Sequence, residues 1–165
     1  MGDAAPGRVM TPKPVRPFAA FCGEELEWAR RLAFVITGSR DAADDIAQEG
    51  FARVCRRYDA LDNPRGYLRV VIVNLSRRRG RTLDRDRPLH DDDDTAGPGV
   101  SSESVEVLDL VDRLPSRQRA VLVLRYFEGL SELEIAEVLS CRPGTVKSLA
   151  ARALSRLREE LGHDR

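Results

Sequence analysis

The sequence predicts an all-α protein made of two small helical domains. Apolar residues recur at helical spacing along most of the 165 residues, and a stretch rich in proline, glycine, serine and aspartate divides the helices into two groups. Apolar residues make up 42% of the chain and charged residues 33%, as in a globular protein with a strongly charged surface. The length suffices for one ordinary domain or two small ones.

Three helices are predicted in the first domain, at residues 18–81. The first runs from about 18 to 37 and ends at Gly38, and the second runs from about 41 to 58. The third opens at Asn63 and Pro64, an N-cap residue followed by proline at the first helical position, and ends in an arginine run near residue 81. Each helix has one apolar face, so we expect a three-helix bundle.

Two segments show no helical pattern. Residues 1–17 contain four prolines and few apolar side chains, and we expect a disordered tail there. Residues 82–104 contain prolines, glycines, serines and four consecutive aspartates, Asp91 to Asp94, and we expect a flexible acidic linker. Such a linker can stretch to about 75 Å, so the two domains could lie together or far apart.

A helix-turn-helix is predicted inside the second domain, at residues 105–161. Two short helices come first, broken at Pro115 and ended by Gly129. Ser131 and Glu134 then form a capping box, and the turn precedes Pro143, which opens a long helix. Ala136 supplies the small residue that the crossing of the two helices requires. A plain helical hairpin is the alternative interpretation.

The distribution of charge points to nucleic acid, although the 27 basic and 27 acidic residues balance. Residues 65–87 hold eight arginines against two aspartates, and residues 141–158 hold five bases and no acid. Residues 90–112 hold eight acids and no Lys or Arg. Two basic blocks thus flank an acidic one, and local blocks rather than net charge decide which partners are attracted.

The long helix carries a candidate DNA-reading face. Lys147, Ser148, Ala151 and Arg152 lie on one exposed side of it. Lys and Arg can reach guanine edges or phosphates, Ser can bond to either, and Ala can meet a thymine methyl group. A solvated basic face is the alternative, but solvated helices usually mix both signs of charge.

Other classes of function have little support in the sequence. No apolar run approaches the ~18 residues of a membrane span, and no signal-peptide core is present, so we expect a cytoplasmic protein without membrane insertion. The three cysteines and two histidines lie far apart and form no ligand motif, so we expect no metal, no cofactor and no disulfide. The only dense acids lie in the linker, so we expect no enzyme.

Four segments in order resemble a known family: TGSRDAADDIAQEGFARV, NPRGYLRVVIVNLSRRRGR, LPSRQRAVLVLRYFEGLSELEIAEVL and RPGTVKSLAARALSRLREEL. They resemble the bacterial RNA polymerase sigma factors of the extracytoplasmic-function type, group 4 of the sigma-70 family, and are similar to its short actinobacterial, sigma-E-like kind. The resemblance implies that residues 18–81 are sigma region 2 and residues 105–161 are sigma region 4.

The resemblance also implies roles for individual residues. The second helix would dock on the clamp helices of the polymerase β′ subunit through Asp45, Gln48, Glu49, Arg53 and Arg56. The third helix would capture and hold the −10 element through Asn74, Arg77, Arg78 and Arg81. The helix-turn-helix would read the −35 element through Arg142, Thr145, Lys147, Ser148, Ala151 and Arg152.

The implied partners are core RNA polymerase, through its β′ clamp helices and β flap, promoter DNA, and an anti-sigma factor. The two promoter elements are separated by roughly 17 base pairs, or about 58 Å of duplex, which lies within the stretched reach of the linker. The alternative function is a stand-alone helix-turn-helix regulator, which would bind duplex DNA without polymerase.

Overall fold

A computed structural model describes residues 16–86 and 109–163, with side chains for 16–80 and 109–162. The described part is helical and contains no strand. The helices are α1 Phe18–Thr37, α2 Arg40–Cys55, α3 Pro64–Asp86, α4 Ser116–Leu122, α5 Glu132–Leu139 and α6 Pro143–His163. A 3-10 turn at Tyr58–Ala60 follows α2, and a π-helical turn at Val123–Phe127 continues α4.

Helices α1 and α2 form a tight hairpin. Gly38 ends α1 with φ of 71°, in the left-handed region that glycine enters without steric cost. Ser39 then caps α2, its side chain accepting a hydrogen bond from the Ala42 N–H at 3.3 Å. The predicted start and end of α1 are confirmed, whereas α2 ends at Cys55 rather than near residue 58, and the chain turns through the 3-10 segment instead.

Helix α3 lies across this hairpin and is longer than predicted. Asn63 caps it as expected, its side-chain oxygen accepting from the Gly66 N–H at 2.8 Å. A Cβ on Gly50 of α2 would lie 3.0 Å from Leu68, so glycine there permits the close approach of the two helices. The helix continues to Asp86, into the segment expected to be linker, because no proline or glycine occurs between Gly80 and Pro88.

The second segment contains the predicted helix-turn-helix, formed by α5 and α6. The short helix expected before Pro115 is helical at residues 109–112, and residues 105–108 lie outside the described part. The next helix starts at Ser116, turns through the π-helical segment and ends before Gly129, which has φ of 67°. The expected tail lies outside the description at residues 1–15, and the expected linker does so at 87–104.

The two segments share one hydrophobic core. Buried side chains of α1 and α3, such as Ile36 and Val73, belong to the same cluster as Val121, Leu124 and Ile135 of the second segment. Helix α3 contacts both α4 and α5, and α1 contacts α4. The first segment is therefore a three-helix bundle, as predicted, with the second segment packed directly against it.

Arg119 of α4 is the most deeply placed charge at this junction, with 2% of its side chain exposed. One guanidinium nitrogen donates to the Ile36 carbonyl at the end of α1, at 2.9 Å, and lies 2.6 Å from the Asp112 carboxylate. The other donates to the carbonyls of Leu114, at 3.0 Å, and Asp112. A cation beside the last carbonyls of a helix also interacts favourably with the negative end of the helix dipole. Arg119 of the second segment therefore caps the C-terminus of α1 in the first.

A second polar contact joins the segments at Glu128, whose side chain is 5% exposed. One carboxylate oxygen accepts from the Trp28 indole N–H at 2.8 Å, and the other accepts from Arg69 Nε at 2.8 Å. Arg65 stacks on the Trp28 ring at 4.4 Å and also pairs with Glu25 at 3.0 Å. Glu128 thus binds α1 and α3 at once.

We predict that Arg119→Ala lowers the free energy of unfolding by about 3 kcal/mol, because it leaves buried carbonyls and the Asp112 carboxylate without their donor. Urea unfolding followed by circular dichroism measures this loss. Arg117→Ala is the matched control, since Arg117 is an exposed arginine on the same helix. Equal stabilities of the two variants would contradict the role given to Arg119.

Candidate nucleic-acid interface

The helix-turn-helix begins with the predicted capping box. Ser131 Oγ accepts from the Glu134 N–H at 3.3 Å, and the Glu134 carboxylate accepts from the Ser131 N–H at 2.8 Å and from its hydroxyl at 2.7 Å. These hydrogen bonds favour the ionised carboxylate and hold the pKa of Glu134 below its usual range. The first turn of α5 is therefore fixed by reciprocal hydrogen bonds between Ser131 and Glu134.

The turn is built on a left-handed serine. Ser140 has φ of 49°, and its N–H and that of Cys141 donate to the Glu137 and Ala136 carbonyls at 3.2 and 2.9 Å. This is the Schellman arrangement, in which the left-handed position is usually glycine. Pro143 then opens α6, and the Arg142 carbonyl accepts from the N–H groups of Thr145 and Val146.

Helix α6 divides into a buried side and a basic side. Val146, Ala150 and Ala153 are buried against the rest of the second segment. The predicted reading residues lie on the other side: Arg142, Lys147, Ser148, Ala151 and Arg152 are exposed, and Thr145 is half-buried at the helix start. Among the side chains of residues 16–80 and 109–162, no ion pair neutralises Lys147 or Arg152. The face can therefore bind phosphates and base edges.

On α3, two of the residues predicted to act at −10 lie together. Asn74 and Arg77 are both half-buried, and Arg77 donates towards the Asn74 side-chain oxygen at 3.5 Å. Arg78 is exposed farther round the helix, and the side chain of Arg81 lies outside the described part. Arg65 and Arg69 of the same basic block are engaged with Glu25 and Glu128, so the block is less available to DNA than its sequence indicates.

The outer face of α2 carries mixed charge, as predicted. Asp45, Gln48, Glu49 and Arg56 are exposed, and Arg53 is partly exposed in an ion pair with Glu49. Asp45 lies 3.7 Å from Arg79 of α3. The opposite face of α2 is buried in the bundle, so four of these side chains project from a packed helix, and Arg56 projects from its C-cap.

Sequence reasoning missed three residues that join the two segments: Arg119, Glu128 and Trp28. Arg119 had one visible signal, an arginine on the apolar side of a helix. The sequence around Glu128 or Trp28 does not indicate their contact, because the two residues lie 100 positions apart along the chain.

No group of three or more metal-ligating side chains occurs in the described ranges, and no helix within them is long and apolar enough to cross a membrane. Cys22, Cys55 and Cys141 are free thiols, and burial, with a smaller effect of Cys55, raises the pKa of Cys22.

Family comparison matches both segments. Residues 23–86 match the family described as Sigma-70 region 2, and residues 104–157 match Sigma-70, region 4. The RNA polymerase sigma-E factor of Streptomyces coelicolor is 34% identical over 131 residues, which cover 72% of this chain and 71% of that protein. The chain belongs to the sigma-70 family of RNA polymerase sigma factors. The ECF RNA polymerase sigma factor SigW of Bacillus subtilis is 32% identical over 154 residues, covering 79% of this sigma factor and 81% of SigW.

Solved structures share the fold of this sigma factor. The sigma factor RpoE of Bartonella quintana, in complex with the anti-sigma factor NepR, matches with a TM-score of 0.69 and 24% identity, covering 90% of this chain and 98% of that one. CnrH, in complex with the cytosolic domain of CnrY, matches with a TM-score of 0.64 and 22% identity, covering 90% and 89%. At these identities the likeness concerns the fold.

We predict that Ser140→Gly raises the free energy of unfolding by about 0.5–1 kcal/mol, because glycine enters the left-handed region without the steric cost that serine meets. Chemical denaturation measures the gain. Ser155→Gly is the control, since this exposed serine lies inside α6, where glycine lowers stability by about 0.5 kcal/mol. A loss of stability in both variants would show that the turn is not strained.

Proposed function

We propose that this sigma factor binds core RNA polymerase and directs it to promoters by reading a −10 and a −35 element with different segments. One observation carries the proposal: the two matched sigma regions present separate polar surfaces, a mixed-charge face on α2 and an acid-free basic face on α6. The first suits a protein partner with its own charges, and the second suits DNA. Initiation then proceeds without covalent chemistry by the sigma factor.

The polymerase-binding surface is proposed to be the outer face of α2. The surface consists of Asp45, Gln48, Glu49 and Arg53 on the helix and Arg56 at its C-cap. The other side of the helix is buried, so the surface is presented in a fixed geometry. Both signs of charge occur on it, which favours one docking register over others. The β′ clamp helices are the proposed partner of this face, and the β flap is the proposed partner of the second segment.

The DNA contacts are proposed to lie on α3 and α6. Asn74 has both a donor and an acceptor for the edge of an unstacked −10 base, and Arg77, Arg78 and Arg81 supply phosphate contacts beside it. Arg142, Thr145, Lys147, Ser148, Ala151 and Arg152 line the entry of α6 into the major groove at −35. Because phosphate contacts are sequence-blind, Ser148 and Ala151 are the proposed base-reading positions at the centre of this face.

An anti-sigma factor is the proposed regulator. RpoE of Bartonella quintana, described above, is a sigma factor bound to the anti-sigma factor NepR, and its fold matches this chain over nine-tenths of its length. The proposed function places the protein in the cytoplasm, where the polymerase works.

We predict that Asp45→Arg combined with Gln48→Ala weakens binding to bacterial core RNA polymerase at least tenfold, because a reversed charge on the docking face meets repulsion where it met attraction. Co-elution on gel filtration, followed by titration of a labelled sigma factor, measures the change.

Glu27→Arg is the matched charge reversal, since Glu27 is exposed on α1 and is not one of the residues of the proposed face. Circular dichroism checks that both variants fold. Tight binding of duplex DNA by the parent protein, together with no binding to core polymerase, would rule out the proposed function and favour the stand-alone regulator.

We predict that Lys147→Ala combined with Arg152→Ala weakens holoenzyme binding to promoter DNA at least tenfold. If both bases contact phosphates, the slope of log K against log salt falls by about 2, because each lost contact releases roughly one counterion fewer. The probe is a duplex enriched from a randomised pool by the parent holoenzyme, and filter binding across salt concentrations gives the slope. Arg31→Ala, an exposed arginine on α1, is the control. An unchanged affinity and slope would exclude this face from DNA.

A further inference from the structure

Two of the three cysteines lie at the open end of the α1–α2 hairpin. Cys22 is in the second turn of α1, and Cys55 is the last residue of α2. Cys22 stands as many residues before Gly38 as Cys55 stands after Ser39, and these two residues form the turn of the hairpin. Since the two helices run antiparallel, folding brings both cysteines to the same end of the hairpin.

Aromatic contacts place the two cysteines beside each other. Phe21, the neighbour of Cys22, packs against Phe51 and Tyr58 with ring centroids 6.0 and 5.4 Å away. Phe51 lies one helical turn before Cys55, and Tyr58 lies about one turn after it. The residue next to Cys22 therefore contacts both rings that flank Cys55 along the chain.

An ion pair shows that the cysteines lie on facing sides of their helices. Arg30 of α1 binds Asp44 of α2 at 2.8 Å. Arg30 follows Cys22 by eight residues, and Asp44 precedes Cys55 by eleven, or three turns, so each pair shares one side of its helix. Packed helix axes lie about 8–10 Å apart, and facing Cα atoms then come within reach of the roughly 4.4–6.8 Å that a disulfide requires.

The two thiols differ in access to solvent. Cys55 is exposed, whereas Cys22 is half-buried against the core of the bundle. Burial raises the pKa of the Cys22 thiol, and the nearby Cys55 thiol raises it further. The second effect requires that the two groups lie close together. Cys141 is in the turn before α6, on the second segment, and serves below as the matched cysteine.

We propose that Cys22 and Cys55 are an oxidation site: a hydroperoxide converts the two thiols to a disulfide, and this bond weakens the binding of core polymerase. The sequence predicts no disulfide because the cysteines are far apart along the chain, but the fold removes that separation for these two. Both are free thiols in the structure. The effect on polymerase rests on the proposed function, whereas formation of the disulfide does not.

The chemistry needs two steps and one molecule of hydrogen peroxide. The Cys55 thiolate is accessible, so it attacks a peroxide oxygen; the O–O bond breaks, a sulfenic acid forms, and hydroxide leaves. The Cys22 thiolate then attacks the Cys55 sulfur, the S–O bond breaks, and a second hydroxide leaves. The two thiol protons convert both hydroxides to water, so two thiols are oxidised while the peroxide is reduced.

The position of Cys55 links this site to the proposed polymerase-binding surface. Arg53 and Arg56 of that surface lie two residues before and one residue after Cys55. A bond to Cys22 draws the end of α2 towards α1 and moves these two charges with it. Because docking depends on where charges lie, the bond should weaken binding. An exposed disulfide is also readily reduced, so the change is reversible.

The first test asks whether the bond forms. The reduced full chain is treated with hydrogen peroxide, catalase removes the excess, free thiols are alkylated, and the peptides are identified by mass spectrometry. We expect a peptide pair that joins Cys22 to Cys55, with Cys141 alkylated, and the same pair in the Cys141→Ser variant. Absence of this pair, or disulfides formed only between two chains, would overturn the proposal.

The second test measures the consequence. Sigma factor labelled at its N-terminus is oxidised, freed of peroxide and titrated with core polymerase. We expect the oxidised protein to bind at least fivefold more weakly than the reduced protein, and dithiothreitol added before mixing should restore the affinity. Cys55→Ser should bind like the reduced parent with or without peroxide, whereas Cys141→Ser should respond as the parent does. Equal affinities of the reduced and the disulfide-linked parent would overturn the effect on polymerase.

Failure of this proposal is distinguishable from failure of the proposed function. If the reduced parent does not bind core polymerase, the proposed function is wrong, and the mass measurement still decides whether the disulfide forms. If the reduced parent binds and peroxide changes neither its disulfide content nor its affinity, only the oxidation site is wrong.

Discussion

The buried guanidinium of Arg119 is the constraint on which the arrangement of this sigma factor depends. A guanidinium with 2% exposure needs an acceptor for almost every N–H group. The acceptors come from both segments, namely the end of α1 and the turn before α4. Moving either segment by an ångström or two would break the hydrogen bond to the Ile36 carbonyl, which is the contact of Arg119 that joins the two segments. One side chain therefore fixes the position of the second segment relative to the first.

The arginines of α3 fall into two groups, those engaged in contacts within the protein and those exposed to solvent. Arg65 and Arg69, near its start, face Trp28 and acids of both segments, whereas Arg78 projects into solvent farther along. A count of charges along the sequence assigns all of them to nucleic acid. In the folded chain, Arg65 and Arg69 are engaged with Glu25 and Glu128, so only the later arginines are available for the proposed DNA contacts.

Features determined by neighbouring residues could be predicted from the sequence, and features that join distant residues could not. The Asn63 cap, the Ser131 and Glu134 capping box and the basic face of α6 depend on residues within a few positions of one another. The bond between Trp28 and Glu128 joins residues 100 positions apart, and nothing local marks either one. The sequence underestimates the extent of α3, because residues 82–86, three of them charged, lack an apolar face but contain no helix breaker. The residue roles at −10, −35 and the α2 face remain predictions.

The packing of the segments against each other also compensates for the small core that each could form alone. Separate domains of about 60 residues bury too little surface to be comfortably stable, and here each segment completes its core against the other. Separation of the segments would expose buried groups such as Val73 and the Arg119 guanidinium, so the shared core stabilises each segment in the position where it packs against the other.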